Sequence, residues 1–516
     1  MKFFNIIYCG TLFLMTTVSE LSAQQAKQDR NILALEVQDS VGSWRNSKNA
    51  AGLVWDKPVA HSKIQLHYGS DQGSFRRPEE GLRTTVQGVY GAGNTEIKGS
   101  YIQGFFSYKR QKREEALYNS SLINPLREMP YRVLDSNASD WINQHYKMGF
   151  DWSGPKWCER WTLGLGLRYE ASSGAKQRDI RAENTAYALQ IRPGIVYALA
   201  TSQRVGAHIF YANHKEESAN SNVNVYVDQG YYLHYGLGHA IPYVGRGTNL
   251  NYEGDTWGAG LQYEWNGTWD IFAASAYGVG AERVGVGFIE ARSEGMLLRK
   301  EIATDITAIK KYEGQLHLVG IGQQWSKSDG IEYWNEFVSG LESEGYVNRY
   351  RATRSRYKRE KWHAKYSWIM GTETAYRWKV DASLAYRTQR DRYLLPISRL
   401  HVENLDYALG LSRAFDWRKA VLSIGVRAWR QHNLSGIYEY GGERVEEWPV
   451  NEWMDRELHY LQSSYWRVDL PLTLALKSDK GKGLEWYIRT NMFWVDPDGK
   501  VFTNRKGGDI ALGMTF

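Results

Sequence analysis

The residues able to do chemistry in this chain are charged side chains spaced two apart, not a compact catalytic set. Along its alternating segments one face carries Lys147, Arg168, Arg192, Lys365, Arg377, Lys379, Arg427, Arg467 and Arg489. The same face carries Asp151, Glu264, Asp270, Asp305, Asp381, Asp406, Asp469 and Glu485. Nine cations against eight anions is no excess, so the pattern selects neither sign of solute. It suits opposing charged bands along a polar passage, and equally ion pairs that fill a wall. A second set is one-sided: Arg349, Arg351, Arg354, Arg356, Lys358, Arg359 and Lys361 have only Glu360 among them. Guanidinium groups at that density suit phosphates or carboxylates through bidentate pairs, and a solvated strand extension would carry the same residues. Enzymatic signatures are absent: there is no G-x-S-x-G, H-E-x-x-H, Walker A loop, EF-hand loop or paired C-x-x-C. The twelve His show no metal-ligand spacing, so neither a metal nor a cofactor is expected. His363 and Ser367 share a face, a coincidence common by chance.

Strands must position these groups. Trp161, Leu163, Leu165, Leu167 and Tyr169 alternate with Thr162, Gly164, Gly166 and Arg168. Trp257, Ala259, Leu261, Tyr263 and Trp265 alternate with Gly258, Gly260, Gln262 and Glu264, and the run Trp466–Leu476 behaves alike. Such dyads fit transmembrane β-strands, one face apolar toward lipid and the other small or polar toward a lumen. About eighteen segments read this way, at 62–69, 83–91, 95–110, 141–152, 160–170, 183–199, 203–214, 256–266, 268–282, 301–313, 315–326, 357–370, 374–388, 403–415, 418–432, 464–476, 483–495 and 508–516. The alternative count is sixteen. After a first connection at 70–82 the links alternate. Short ones fall at Ala92-Gly93-Asn94, Thr201-Ser202, Asn266-Gly267, Gly314, Gly371-Thr372 and Asp416-Trp417. Long ones fall at 111–140, 171–182, 215–255, 283–300, 327–356, 389–402, 433–463 and 496–507. Short periplasmic turns with long extracellular loops are the mark of a single-chain outer-membrane barrel.

Composition agrees. The 516 residues include 35 Tyr, 21 Trp and 50 Gly, yet mean hydropathy is −0.54. Tyr and Trp favour membrane interfaces, and only half of each barrel strand need be apolar. No apolar run of helical-span length exists beyond the first two dozen residues. Those residues read as a secretory signal, with Lys2, an apolar stretch from Phe3 to Val18, and Leu21-Ser22-Ala23 before Gln24. Cleavage there leaves Cys158 as the lone thiol and excludes an internal disulfide.

At the other end Ile510, Leu512, Met514 and Phe516 share one face. Here the chain resembles bacterial outer-membrane β-barrels, whose closing strand ends in an aromatic residue read by the assembly machinery. As a whole it resembles the large outer-membrane barrel families of Bacteroidota. Asn49-Ala50-Ala51-Gly52-Leu53 also resembles the Asn-Pro-Ala-Gly/Ala-Leu stretch of FadL-type channels for hydrophobic compounds, with Ala50 in place of the proline. In that family the N-terminus forms a hatch. The 38 residues between the signal and the first strand are too few for the globular plug of a TonB-dependent transporter.

The expected architecture is therefore all-β. It has a signal peptide at 1–23, a periplasmic or lumen-inserted segment at 24–61, and one closed antiparallel transmembrane barrel at 62–516 in a Gram-negative outer membrane. The expected function is a non-enzymatic channel for passive passage of small solutes. A scaffold binding a surface lipoprotein or secretion partner, and a FadL-like transporter, are the alternatives. Expected partners are outer-membrane lipid and lipopolysaccharide, the latter at Arg349, Arg351, Arg354, Arg356 and Arg359, and the assembly machinery at Phe516. Nucleic acid is excluded despite an isoelectric point near 9.0.

Overall fold

The computed structural model describes residues 31–516 except 225, 228, 246, 288–291, 340–343, 373–374, 418 and 478–483. The expected signal at 1–23 lies outside the described residues. The strands in chain order begin with β1 (His61–Gly73), β2 (Arg83–Ile97), β3 (Ser100–Ala116), β4 (Arg132–Leu134), β5 (Ser139–Ser153), β6 (Trp161–Lys176) and β7 (Arg181–Ala200). There follow β8 (Gln203–Ser221), β9 (Gln229–Gly236), β10 (His239–Gly245), β11 (Leu250–Trp265), β12 (Asp270–Val286), β13 (Arg292–Tyr312) and β14 (Gln315–Ser339). The last are β15 (Glu344–Thr372), β16 (Ala375–Leu394), β17 (Ile397–Trp417), β18 (Ala420–Glu439), β19 (Tyr465–Lys477), β20 (Glu485–Pro497) and β21 (Arg505–Thr515).

All but β4, β9 and β10 join one 18-stranded sheet, antiparallel throughout, which closes where β1 pairs with both β2 and β21. Leu66 lies opposite Val89 on one side and Leu512 on the other. Ser62 and Phe516 exchange backbone hydrogen bonds of 2.8 and 2.9 Å at the seam. Closure leaves no backbone edge, the condition for crossing lipid with strands.

The outer surface has the composition of a lipid-facing wall. Leu66, Phe150, Ile209, Leu261, Ile321, Leu409 and Met492 are exposed on it. Trp161 and Tyr169, Trp265 and Trp257, and Trp486 and Trp494 are exposed pairs, each eight residues apart on a single strand. Eight residues of strand span about 26 Å, close to the apolar thickness of a barrel wall once tilt is included. The aromatic excess is thus sorted into two girdles. No helix among the described residues is long and apolar enough to cross a membrane, which says nothing against crossing by strands.

The count of eighteen holds, but several links move. Ala92-Gly93-Asn94 is not a turn. It lies inside β2, where the Asn94 side chain accepts the His61 N–H at 3.1 Å. The turn is Lys98-Gly99, with φ of 50° and 78°, and Glu313-Gly314 repeats it at 45° and 75°. A type I′ hairpin needs positive φ at both positions with Gly second, so Gly93-Asn94 has the wrong order. Likewise Asp416-Trp417 still belongs to β17. Four expected long loops, at 171–182, 283–300, 327–356 and 389–402, are mostly strand. Above the lipid neither face need be apolar, so alternation stops at the membrane while the ladder continues. The largest such hairpin joins β14, of 25 residues, to β15, of 29.

Candidate functional site

Two separate structures enter the barrel, one from each end. At the turn end, residues 31–56 cross the interior. The Asn31 side chain accepts the Ala34 N–H at 2.7 Å and starts the helix Ile32–Val41. Its residues Ile32, Leu33 and Val37 pack on Ile309, Leu318, Ile369 and Tyr376 of the wall. Glu485 accepts the Ile32 N–H at 2.8 Å, and Arg489 pairs with Glu36. Farther along, fully buried Trp44 donates through Nε1 to Glu264 at 2.7 Å, and Arg204 holds the same carboxylate at 2.5 Å. Asn49 Nδ2 donates to the Ile195 and Ala207 carbonyls at 3.1 Å each and to Gln262 at 2.9 Å. The Ala51 carbonyl accepts from Ser153 and Thr162 hydroxyls at 3.0 Å. Three wall glycines make room for this stretch. A Cβ at Gly164 would fall on the Ala51 backbone, one at Gly194 on the Asn49 amide, and one at Gly206 on the Trp44 ring.

Asp56 ties the segment to itself by accepting the Trp44 and Arg45 N–H groups at 3.2 and 2.5 Å. Burial pushes its carboxyl up to about 7, against the opposing pull of those two donors. A carboxyl raised on docking favours the docked state while protonated. That contribution is complete below the ordinary pKa of 3.8 and disappears as pH rises through about 7. Protease protection of residues 31–56 should therefore weaken between pH 4 and pH 7, and Asp56→Asn should flatten the profile. An unchanged profile in the variant would assign the dependence elsewhere.

At the opposite end 117–138, 229–245 and 440–464 pack into the barrel mouth. They carry the small sheet β4-β9-β10 and the helix Asp455–Leu461. Their core joins Leu122, Tyr131, Leu134, Leu233, Trp453 and Met454 to wall residues such as Tyr252, Val284 and Leu400. Charge pairs fasten this plug. Arg127 reaches Glu216 at 3.2 Å and Glu282, and lies 4.7 Å over the Tyr252 ring. Arg132 pairs with Glu79 at 2.8 Å, Arg77 with Glu457, and Lys176 with Asp135. His234 is buried, its Nδ1 2.8 Å from the Pro130 carbonyl and its Nε2 taking the Gly238 N–H at 3.3 Å. Burial holds its pKa well below the ordinary value, so a neutral ring with the proton on Nδ1 satisfies both contacts.

Cavities lined by both charged and apolar side chains remain inside the barrel. One of about 430 Å³ runs from Lys48 to Leu461 along the β12–β17 wall. Another of about 800 Å³ lies beneath residues 123–126, bordered by Lys109, Arg113, Lys147, Trp429 and Phe493.

Ion pairs engage many of the expected lumen residues. Arg168 and Arg192 share Asp151 at 2.5 and 3.3 Å, and Lys147 pairs with Glu170 at 2.7 Å. Lys379 approaches Asp381 at 3.6 Å and Arg467 holds Asp469 at 2.7 Å. Arg489 belongs to the N-terminal segment's anchorage. Lys365 lies against Gly320 and Arg427 against Gly410. Arg377 is the exposed extra residue of a bulge between Tyr376 and Trp378. His363 and Ser367 do not meet as a pair, since His363 contacts Asp305 at 3.2 Å and Ser367 donates to Asp381 at 2.6 Å.

The one-sided basic run divides. Arg359 is a correction: it faces the lumen, held by Asp391 and by Glu128 of the plug at 3.2 Å. Arg359 keeps step with His363 and Lys365, because the bulges of this hairpin fall beyond it, at Arg354 and Arg349; its charge, not its face, groups it with the outer run. Arg349 meets Glu336 and Arg356 meets Asp329, each at 2.7 Å, so the facing strand supplies the acids that β15 lacks. Arg354 approaches the Leu395 carbonyl at 3.5 Å, and Arg351 sits opposite Tyr333. Arg113 lies beyond the expected strand end at 110, whereas Lys109 falls within that strand and is a lumen cation the sequence reading omits. Among the described residues no three His, Cys, Asp or Glu side chains cluster as a metal site.

A profile described as "Family of unknown function (DUF6850)" matches residues 50–516. No curated protein matches the chain in sequence. Among solved structures it is similar to the ferric preacinetobactin receptor BauA of Acinetobacter baumannii, at 7% identity and a TM-score of 0.41, over 89% of this chain and 80% of that one. It is similar to the outer membrane transporter YddB of Escherichia coli at 7% identity and a TM-score of 0.39, over 88% and 80%. Pseudomonas aeruginosa OpdK, solved with vanillate, aligns at 10% identity and a TM-score of 0.35, over 89% and 99%.

Proposed function

The chain belongs to the DUF6850 family, a family of unknown function, and on that footing we propose that it is a gated outer-membrane conduit for small hydrophilic solutes, its turn end in the periplasm. One observation carries the reading: a cavity of about 430 Å³ touches both closures, at Lys48 and Leu461, another of about 800 Å³ lies beneath the plug, and both are lined in part by charged side chains. A barrel of this strand number leaves an aqueous lumen once its filling moves. Passage is then passive, and the closures decide when it occurs.

Two closures in series make a non-additive prediction. In planar-bilayer recording, deleting residues 31–56 should leave the upper plug in place, and Arg127→Ala should leave the lower segment in place. Each should give at most brief openings, whereas the combination should conduct steadily. A combined variant that assembles as a barrel yet never conducts would overturn the conduit.

A second reading has its own observation. On the long β14–β15 hairpin Trp334 and Tyr350 lie opposite one another, 68% and 56% exposed, beside Arg349. Paired exposed aromatics with a neighbouring guanidinium suit a protein partner such as a surface lipoprotein. Trp334→Ala/Tyr350→Ala should then abolish a stoichiometric partner in mild-detergent pull-downs without affecting assembly. Arg356 and Lys358, on the outer face of β15, are suited to lipopolysaccharide phosphates.

A further inference from the structure

We infer that the larger cavity is a binding site for a small organic anion, a carboxylate on a flat apolar body, with Arg113 as its principal ligand. The inference rests on the reading of the barrel as a solute conduit and names the class of solute.

Three of the four lining acids are held by cations. Asp71 pairs with Arg505, Glu170 with Lys147 at 2.7 Å, and Glu216 with Arg127 at 3.2 Å. The fourth, Glu80, accepts the Arg77 backbone N–H at 2.9 Å and acts on Arg113 only from beyond contact distance. Two lining cations are not matched. Arg113 is only 7% exposed, yet among the described residues no carboxylate stands within 4.0 Å of it. Its Nη2 donates to the Ile123 carbonyl at 3.0 Å, its guanidinium lies 5.6 Å over the Trp141 ring, and its Nε has no hydrogen-bond partner among the described residues. Lys109 stands four residues away on the same inward face of β3, opposite His145, exposed to the cavity and in no ion pair among the described residues.

A buried guanidinium with no carboxylate in contact is costly, and Glu80 and Glu79 offset it only at longer range, so the site favours an anion. Across the cavity Trp429, Tyr465 and Phe493 line the wall, and the buried Nε1 of Trp429 also lacks a partner. The unmet groups, Arg113 Nε, Trp429 Nε1 and the Lys109 ammonium, are all donors. They call for acceptors and negative charge, and the aromatic side calls for a planar body. Arg113 also touches the plug through Ile123, so an anion seated there would meet the same guanidinium that holds residues 117–138.

Isothermal titration of the full chain in detergent with benzoate, benzamide and benzylamine separates charge from shape. Benzoate should bind saturably, benzamide about tenfold or more weaker, and benzylamine not at all. Arg113→Gln should weaken benzoate by about 10–100-fold, with Arg113→Lys recovering part of it. Lys109→Gln removes a side chain in no ion pair, so its expected tenfold loss cannot come from misfolding. Equal binding of benzamide and benzoate, or unchanged benzoate affinity in both Gln variants, would overturn the site. If benzoate binds as expected while the doubly opened barrel never conducts, the conduit fails and the anion site stands. If that barrel conducts and benzoate does not bind, the site fails alone.

Discussion

Gly164→Val/Gly194→Val is expected to expel residues 31–56 from an otherwise assembled barrel. Each new side chain would begin where a backbone or amide atom of the segment now lies, Ala51 at one position and Asn49 at the other. Gly164 and Gly194 are register partners held by ladders on both sides, so the wall cannot move away. Overpacking of this kind costs about 1–3 kcal/mol per site, and the lost Asn49 and Ala51 hydrogen bonds add about 1 kcal/mol each. The wall itself gains, because Val suits a strand better than Gly. Opposite signs for segment and barrel make the result diagnostic. Protease should cut at Lys48 and Lys57 in lipid-embedded protein while the barrel keeps its heat-modifiable gel mobility. A segment that stays protected would mean that the glycine saddle is not its seat.

Arg127→Ala should release the plug at the other end. It leaves Glu216 and Glu282 without their shared cation and uncovers the Tyr252 ring, with only His214 remaining near Glu282 at 3.2 Å. Removing one member of a buried ion-pair group costs about 3–5 kcal/mol, so amide exchange through 117–138 should quicken by about two to four orders of magnitude. Arg349→Ala is the control. Its pair with Glu336 is 54% and 57% exposed, and such pairs contribute little. Equal exchange in both variants would remove the latch.

What was legible in the sequence follows from what the strands face. Wherever lipid demanded an apolar side, alternation located the strand, and Trp257 to Trp265 marked both membrane surfaces. Above the lipid that demand ends, so residues 349–356 of the Arg-rich run read as a loop although the ladder runs through them. Arg359 is in step with His363 and Lys365 on one face, and only its place in a run of like charge groups it with the outer residues. Asn49–Leu53 stood out as a motif, but the wall glycines that receive it are scattered over β6, β7 and β8. The plug was illegible because its core joins segments far apart in sequence, such as Leu122, Leu233 and Trp453. Arg113 fell beyond an expected strand end, and its lack of a contacting carboxylate among the described residues is a fact of three dimensions.

The link between Ile32 and Glu485 bears on timing. Those residues are 453 positions apart, and Arg489 and Glu36 repeat the separation. Contacts so distant along the chain form slowly, because nearly the whole polypeptide must be arranged first. The helix that enters the lumen earliest in sequence is thus the last piece able to settle, since β20 must be in place to receive it. A single helix at one end of the chain serves as a readout that the other end has arrived: protection of Ile32–Val41 should lag behind closure of the β1–β21 seam during refolding.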